Sequence, residues 1–305
     1  MSKTNRLLHA LSVFTFTPSA LELPYLTEEN ITTFIQSALA EDIGEGDHSS
    51  LAAVPAEARS RARLLIKDEG ILAGVALATK IFQTVDADLR SDVHRPDGST
   101  VQPGDIALVV EGRAQSILSA ERLVLNCMQR MSGIATYTHH LQGLIQHTKA
   151  TLLDTRKTTP NFRLPEKWAV AIGGGTNHRY ALYDMVMLKD NHIDFGGGIR
   201  STVEKTQQYL EEKEKGLKIE IETRNLDEVK QVLEVGGVDV ILLDNMSPDE
   251  MQEAVALVGG RFATEASGNL NEDTIVAAAE SGVDYISVGA LTHSVKSLDM
   301  SLKAF

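Results

Sequence analysis

The pattern of apolar and polar positions divides the chain into two parts. Beyond residue 150, short apolar runs alternate with helical stretches, and the last four runs begin roughly 20 residues apart. These runs are Thr151–Asp154, Met185–Lys189, Lys218–Glu222, Val238–Asp244, Arg261–Glu265 and Val283–Gly289. Apolar runs without alternation are typical of a parallel sheet covered by helices. The second part is therefore predicted to be an α/β barrel domain.

The first part mixes helices and strands without this rhythm, which favours a small α+β domain. Thr27 followed by two acids predicts a helix start. Strands are expected at Ala62–Lys67 and Ile106–Glu111, and helices at Gly74–Val85 and roughly Ala114–Met131. We place the α+β domain at residues 27–131 and the barrel domain at 132–290.

Residues 1–26 are predicted to form a flexible N-terminal extension. A secretory or transit peptide is the alternative, because Lys3 and Arg6 precede an apolar stretch. Pro18 and two preceding threonines break that stretch early, which favours the extension.

Composition excludes several classes of protein. The chain has 305 residues, with 29 Lys and Arg against 42 Asp and Glu, a net charge of −13 that argues against nucleic-acid binding. The single cysteine, Cys127, excludes a disulfide framework and a zinc site built on several thiolates, and its position on an apolar helix face predicts a core residue. No apolar run reaches the ~18 residues of a membrane helix.

Polar residues follow each predicted barrel strand, where an α/β barrel builds its active site. Residues 154–192 contain six Lys and Arg against four acids, a net +2 in an acidic chain. A locally basic pocket suits a small, highly charged anion. For Arg163 and Lys167, solvated helix charges explain the sequence as well as a role in the site does.

Two carboxylates and several glycines complete the predicted site. Glu222 and Asp244 end separate strands and are expected to face each other across the barrel mouth, where they would hold Mg²⁺ or ribose hydroxyls. Ser267, Gly268 and Asn269, together with Gly289, stand where barrels commonly bind phosphate through backbone N–H groups.

Three segments resemble the signature of the quinolinate phosphoribosyltransferase family: Asp154–Pro160, Gly173–Arg179 and Leu188–His192. The resemblance extends from about residue 30 to the C-terminus. Further matches are Glu121-Arg122, Leu125-Asn126, Leu243–Met246, Glu265–Gly268 and Ile286–Leu291.

The resemblance implies the type II phosphoribosyltransferase fold, an N-terminal sandwich-like α+β domain followed by an incomplete TIM-like α/β barrel. Residues 291–305 would return to the first domain. It also implies transfer of phosphoribosyl from phosphoribosyl pyrophosphate to quinolinate with decarboxylation, giving nicotinate mononucleotide. Mg²⁺ would be the cofactor. The expected assembly is a homodimer at minimum, with shared active sites, and a hexamer is the larger alternative. The expected location is the cytoplasm, with neither membrane nor nucleic acid as a partner.

The family pattern also implies a role for each matching residue. Arg122 would reach the site across the subunit interface. Quinolinate and phosphates would be bound by Arg156, Lys157, His178, Arg179 and Lys189. The ribose and Mg²⁺ would be bound by Glu222 and Asp244. The 5′-phosphate would be bound by Ser267, Gly268, Asn269 and Gly289. Lys157, Lys189, Glu222 and Asp244 are the expected catalytic residues. Asn161 and Asn269 replace glycines of the family pattern, and asparagine is the non-glycine residue that best tolerates positive φ.

Two other functions stay open at this point. Lys189 could form a Schiff base in an aldolase-like barrel, which borohydride trapping of a substrate adduct would reveal. Alternatively, the chain could be a non-catalytic phosphate- or oxyanion-binding paralogue on the same fold. The presence of Arg122, Glu222 and Asp244 argues against that paralogue.

Overall fold

The computed structural model describes residues 23–305. Most of the predicted flexible extension, residues 1–22, lies outside this described part. For its last residues the prediction is wrong, because Tyr25 is only 8% exposed and packs against the barrel. Within residues 23–305, no helix is long and apolar enough to cross a membrane.

Twenty-three helices and strands make up the described chain. The first part contains α1 (Glu28–Ile43), α2 (His48–Ala53), β1 (Arg59–Ile66), β2 (Gly70–Ile71), α3 (Val75–Val85), β3 (Arg90–Val93), β4 (Thr100–Val101), β5 (Ile106–Arg113) and α4 (Ala114–Ile145). The second contains β6 (Thr151–Leu153), α5 (Arg163–Ile172), β7 (Val186–Leu188), α6 (Asp190–Gly196), α7 (Ile199–Glu212), β8 (Ile219–Thr223), α8 (Leu226–Val235), β9 (Val240–Asp244), α9 (Pro248–Val258), β10 (Ala263–Ser267), α10 (Ile275–Glu280), β11 (Tyr285–Ser287), α11 (Ala290–His293) and β12 (Met300–Ala304).

The first part forms a four-stranded antiparallel sheet in the order β12-β1-β5-β3, against which helices pack. The Thr27 side chain accepts the Asn30 N–H at 3.2 Å, which confirms the predicted start of α1. The chain's last strand, β12, pairs with β1. Its position covers the edge that β1 would otherwise expose.

Helix α4 is longer than predicted, because it continues past Met131 to Ile145. The predicted domain boundary at 131/132 therefore falls inside one continuous helix. The Ser132 hydroxyl donates to the Ala73 carbonyl at 3.1 Å and accepts the Ala73 N–H at 2.9 Å. Gly133 lies against the backbone of Lys296 and Ser297, so the glycine permits a close approach rather than ending the helix.

The second part is a six-stranded parallel sheet in the order β6-β11-β10-β9-β8-β7. All six predicted strands are found. The two edge strands β6 and β7 are not joined by a ladder anywhere in the described chain, and a single bridge from Leu153 to Thr176 extends the β6 edge. This confirms the predicted incomplete barrel. Cys127 is fully buried in the core, as predicted, and burial raises the pKa of its thiol to about 12.

Candidate active site

The carboxyl ends of the parallel strands surround a pocket of about 700 Å³. The structure brings all the predicted site residues except Arg122 to this one pocket. They are Arg156, Lys157, His178, Arg179, Lys189, Glu222, Asp244, Ser267, Gly268, Asn269 and Gly289. Arg122 is exposed on α4 and does not line the pocket of its own chain.

Two guanidinium groups lie close together on one side of the pocket. The Arg156 Nε is buried and has no hydrogen-bond partner among the described residues. Arg179 donates through Nη1 to the Met185 carbonyl at 3.1 Å. Burial and the neighbouring Arg156 charge lower the pKa of Arg179. Two crowded cations with an unused buried donor form a binding site for an anion, since unpaired buried donors are costly.

His178 is held between two buried carboxylates, Glu220 and Glu265. Its Nε2 lies 2.9 Å from a Glu220 oxygen and 3.5 Å from a Glu265 oxygen. Burial lowers the pKa of His178, but the two carboxylates outweigh this effect and raise it to about 10. The ring nevertheless accepts the Arg179 N–H at Nδ1, at 2.7 Å, which an imidazolium cannot do. We therefore assign its hydrogen to Nε2, on the direct geometry of that bond.

These three residues are the one close group of potential metal ligands within residues 23–305. Because the hydrogen is assigned to the His178 Nε2, that nitrogen has no lone pair for a metal. Glu220 and Glu265 were not predicted as site residues. The available signal was the alternation of acids with isoleucines inside β8, which places carboxylates in a buried strand.

Glu222 and Asp244 end the adjacent strands β8 and β9. The expectation that they face each other across the barrel mouth is therefore wrong, because they lie side by side. Burial raises the pKa of Asp244, and the nearby Glu222 charge raises it further. Lys189 donates to Glu222 at 2.6 Å. An amine held in an ion pair does not fit the Schiff-base alternative, which needs a neutral lysine.

Positive φ angles shape the turns at the other side of the pocket. Gly268 has φ of +100° and Asn269 has φ of 51°. The Asn269 amide donates to the Asn245 side chain at 3.0 Å, joining the turns after β10 and β9. Asn161 also has a positive φ, at 60°, so both asparagines adopt the backbone conformation expected of them.

Asp154, Lys167 and Arg163 lie outside the pocket lining. Lys167 is fully buried and donates to Asp154 at 2.5 Å, so it is neither a solvated helix charge nor a ligand contact. Burial raises the pKa of Asp154 and lowers that of Lys167, whereas their pairing opposes both shifts. Asp154 accepts three N–H groups, which favours the ionised pair. Arg163 donates to Thr158 and to the Tyr180 carbonyl.

His293 lines the pocket beside Gly289 and was not predicted as a site residue. It lies four residues after Gly289 across the short helix α11. That spacing brings a side chain back over the preceding turn, and was the available signal. Thr155, Met187, Leu242, Asn271 and Ser287 also line the pocket without having been predicted.

Fold and site together define an α/β-barrel enzyme that binds small polyanions. Its pocket combines paired arginines, a lysine–carboxylate pair, a second carboxylate and glycine-rich turns.

Comparison with known proteins then identifies the family to which this α/β-barrel enzyme belongs. Residues 47–132 match the N-terminal domain of quinolinate phosphoribosyl transferase, and residues 134–303 match its C-terminal domain. The chain belongs to the quinolinate phosphoribosyltransferase family.

Individual relatives agree along nearly the whole chain. The chain is 48% identical to quinolinate phosphoribosyltransferase [decarboxylating] 1b of Nicotiana tabacum, over 88% of this chain and 81% of that one. It is 40% identical to a probable nicotinate-nucleotide pyrophosphorylase [carboxylating] of Bacillus subtilis, over 86% and 89%. The crystal structure of NadC from Streptococcus pyogenes superposes with a TM-score of 0.85 at 37% identity, covering 91% of this chain and 97% of that one.

Proposed function

We propose that the protein transfers the phosphoribosyl group of phosphoribosyl pyrophosphate to quinolinate and releases pyrophosphate and CO₂, giving nicotinate mononucleotide for NAD synthesis. The observation that carries this proposal is the buried, unpartnered Arg156 Nε beside Arg179. A dianion with neighbouring carboxylates supplies acceptors for both guanidinium groups. A non-catalytic role would leave the carboxylates of β8 and β9 without a purpose.

The residues divide the reaction between them. Arg156 and Arg179 hold the two quinolinate carboxylates, and Lys157 with the turns at Gly268 and Gly289 holds phosphate groups. The quinolinate ring nitrogen then faces the anomeric carbon of the sugar. Positioning of this kind removes much of the entropic barrier to a reaction between two bound molecules.

The bond from the anomeric carbon to pyrophosphate breaks as the bond to the ring nitrogen forms. Glu222 and Asp244 stabilise the positive charge that develops on the ribose, and Lys189 orients Glu222 through the 2.6 Å contact. The ring nitrogen becomes cationic, which stabilises the carbanion left when the adjacent carboxylate departs as CO₂. A proton from solvent completes the product.

Mg²⁺ fits the side of the pocket that Glu222 and Asp244 form. Their side-by-side oxygens are hard ligands. Burial first, and then the Glu222 charge, raises the pKa of Asp244, and a bound cation would offset both effects. When bound, Mg²⁺ would neutralise the departing pyrophosphate. Expected support is activity that EDTA abolishes and added Mg²⁺ restores.

We also propose a homodimer as the smallest active assembly, with hexamers as a larger form, and a cytoplasmic location. Arg122 is a predicted site residue that its own pocket does not use, which a partner subunit would explain. Light scattering of the purified protein and cell fractionation of the full chain test these two points.

One assay tests the reaction itself. The protein is incubated with quinolinate, phosphoribosyl pyrophosphate and Mg²⁺, and both CO₂ and the nucleotide are measured. We expect equal amounts of the two products. Nicotinate in place of quinolinate is the control, and turnover of nicotinate alone would overturn the assignment of substrate.

A further inference from the structure

In the short segment before α1, the Tyr25 side chain bonds to and stacks on residues of the barrel domain. Its hydroxyl donates to the Asn177 side-chain oxygen at 2.7 Å. Its ring stacks on Tyr180, with centroids 4.5 Å apart and planes 16° apart. Burial and the Asp154 charge raise the pKa of Tyr25, so the hydroxyl keeps its hydrogen.

Asn177 passes this contact on to the buried ion pair. Its amide donates to Asp154 at 2.8 Å and to the Lys167 carbonyl at 2.8 Å. Both bonds use the amide nitrogen, so the Tyr25 hydroxyl is the donor that satisfies the amide oxygen. Loss of that hydroxyl would leave a part-buried acceptor unpaired.

The same ion pair holds the backbone of His178 from both sides. Asp154 accepts the His178 N–H at 2.8 Å, and Lys167 donates to the His178 carbonyl at 3.1 Å. The next backbone N–H, of Arg179, is bonded to the His178 ring. Tyr25, Asn177, Asp154 and Lys167 therefore fix residues 177–180 without lining the pocket themselves.

We propose that Tyr25 is a positioning residue for the quinolinate side of the pocket, acting through Asn177 and Asp154 on His178 and Arg179. This inference rests on the proposed function. Within residues 23–305, the turns after β9, β10 and β11, which carry the phosphate side, make no hydrogen bond to Tyr25, Asn177, Asp154 or Lys167. The approach of the His178 ring to Glu265, at 3.5 Å, reaches strand β10 but not the turn that follows it. The effect of Tyr25 is therefore specific for one of the two substrates.

The test is Tyr25→Phe, which removes the hydroxyl and keeps the stacked ring. One hydrogen bond is worth about 0.5–1.5 kcal/mol, so the KM for quinolinate should rise roughly two- to tenfold. The KM for phosphoribosyl pyrophosphate should change less than about twofold. Calorimetric titration of each substrate into the variant should show the same difference.

Ser132→Ala is the matched control, because it also removes a buried hydroxyl, one that bonds to the Ala73 backbone and does not line the pocket. It should change the melting temperature without altering either KM. An unchanged quinolinate KM in Tyr25→Phe, or an equal rise in both KM values, would overturn the inference. If the unaltered protein does not turn over quinolinate at all, the proposed function fails, and the inference fails with it.

Discussion

At the scale of single residues, Arg156 is the side chain whose surroundings most clearly indicate a ligand, because its buried Nε has no hydrogen-bond partner among the described residues. Arg156→Ala should lower kcat/KM for quinolinate at least tenfold while the fold is retained. Removing one member of a buried charge pair typically costs about 2–5 kcal/mol, or roughly 30- to several-thousand-fold. Steady-state kinetics and circular dichroism measure the two effects.

Two further variants test whether the loss of activity is specific to the Arg156 guanidinium group. Arg156→Lys should also be impaired, since lysine cannot reproduce the planar donor fork. Arg200→Ala removes an arginine that is 61% exposed on α7 and, among residues 23–305, is paired only with Glu204; this variant should leave kinetics unchanged. Near-normal kinetics in Arg156→Ala would remove Arg156 from the site.

Lys167 shows where residue-scale reasoning from sequence stops. A lysine on a helix is usually solvated, and polarity alone could not reveal that this one is fully buried against Asp154. Burial of a charge requires a partner of opposite charge. That partner lies 13 residues away, directly after β6, so only the folded chain brings the two together.

At the scale of elements, α4 connects the two parts of the molecule, and its glycines have opposite roles. A Cβ at Gly133 would collide with the Lys296 carbonyl, whereas a Cβ at Gly143 would meet nothing within 4 Å. Gly133→Ala should therefore destabilise the protein by about 1–3 kcal/mol through overpacking. Gly143→Ala should stabilise it by about 0.5–1 kcal/mol, because alanine is the better helix former.

Thermal unfolding of both variants checks this contrast. The same substitution in the same helix separates close approach from helix propensity. A rise in melting temperature for Gly133→Ala would show that the backbone at Lys296 can move to accommodate the added methyl group at little cost in stability. Strand positions, by contrast, followed from the sequence, because parallel strands covered by helices are mostly apolar, although β8 also carries Glu220 and Glu222.

At the scale of the whole molecule, the proposed dimer with a site shared between subunits predicts complementation. Arg122→Ala and Arg156→Ala should each lose at least tenfold in activity. After the two variants are unfolded together and refolded, half of the dimers are mixed, and each mixed dimer holds one intact site. Roughly a quarter of native activity should return.

The control replaces the Arg156→Ala partner with an Arg122→Ala/Arg156→Ala double variant, which can supply no intact arginine and should restore nothing. Equal activity in both mixtures would argue against a shared site. Recovery only in the first would place Arg122 in the partner's pocket.

The amino-acid sequence by itself determined an α/β barrel, its strands and the residues that gather at their carboxyl ends, whereas the expectation that the barrel is incomplete came from the family resemblance. Apolar periodicity is a local property of the sequence, and parallel strands end at a common edge of the sheet. The sequence is therefore enough to predict that the strand-end residues Arg156, Glu222 and Gly289 lie in one site. Only the tertiary structure decided that α4 is continuous, that Glu222 and Asp244 are neighbours, and that Tyr25 reaches Asn177. Each of these three features depends on which residues that are distant in sequence come into contact in the fold, and the pattern of polarity along the chain does not contain that information.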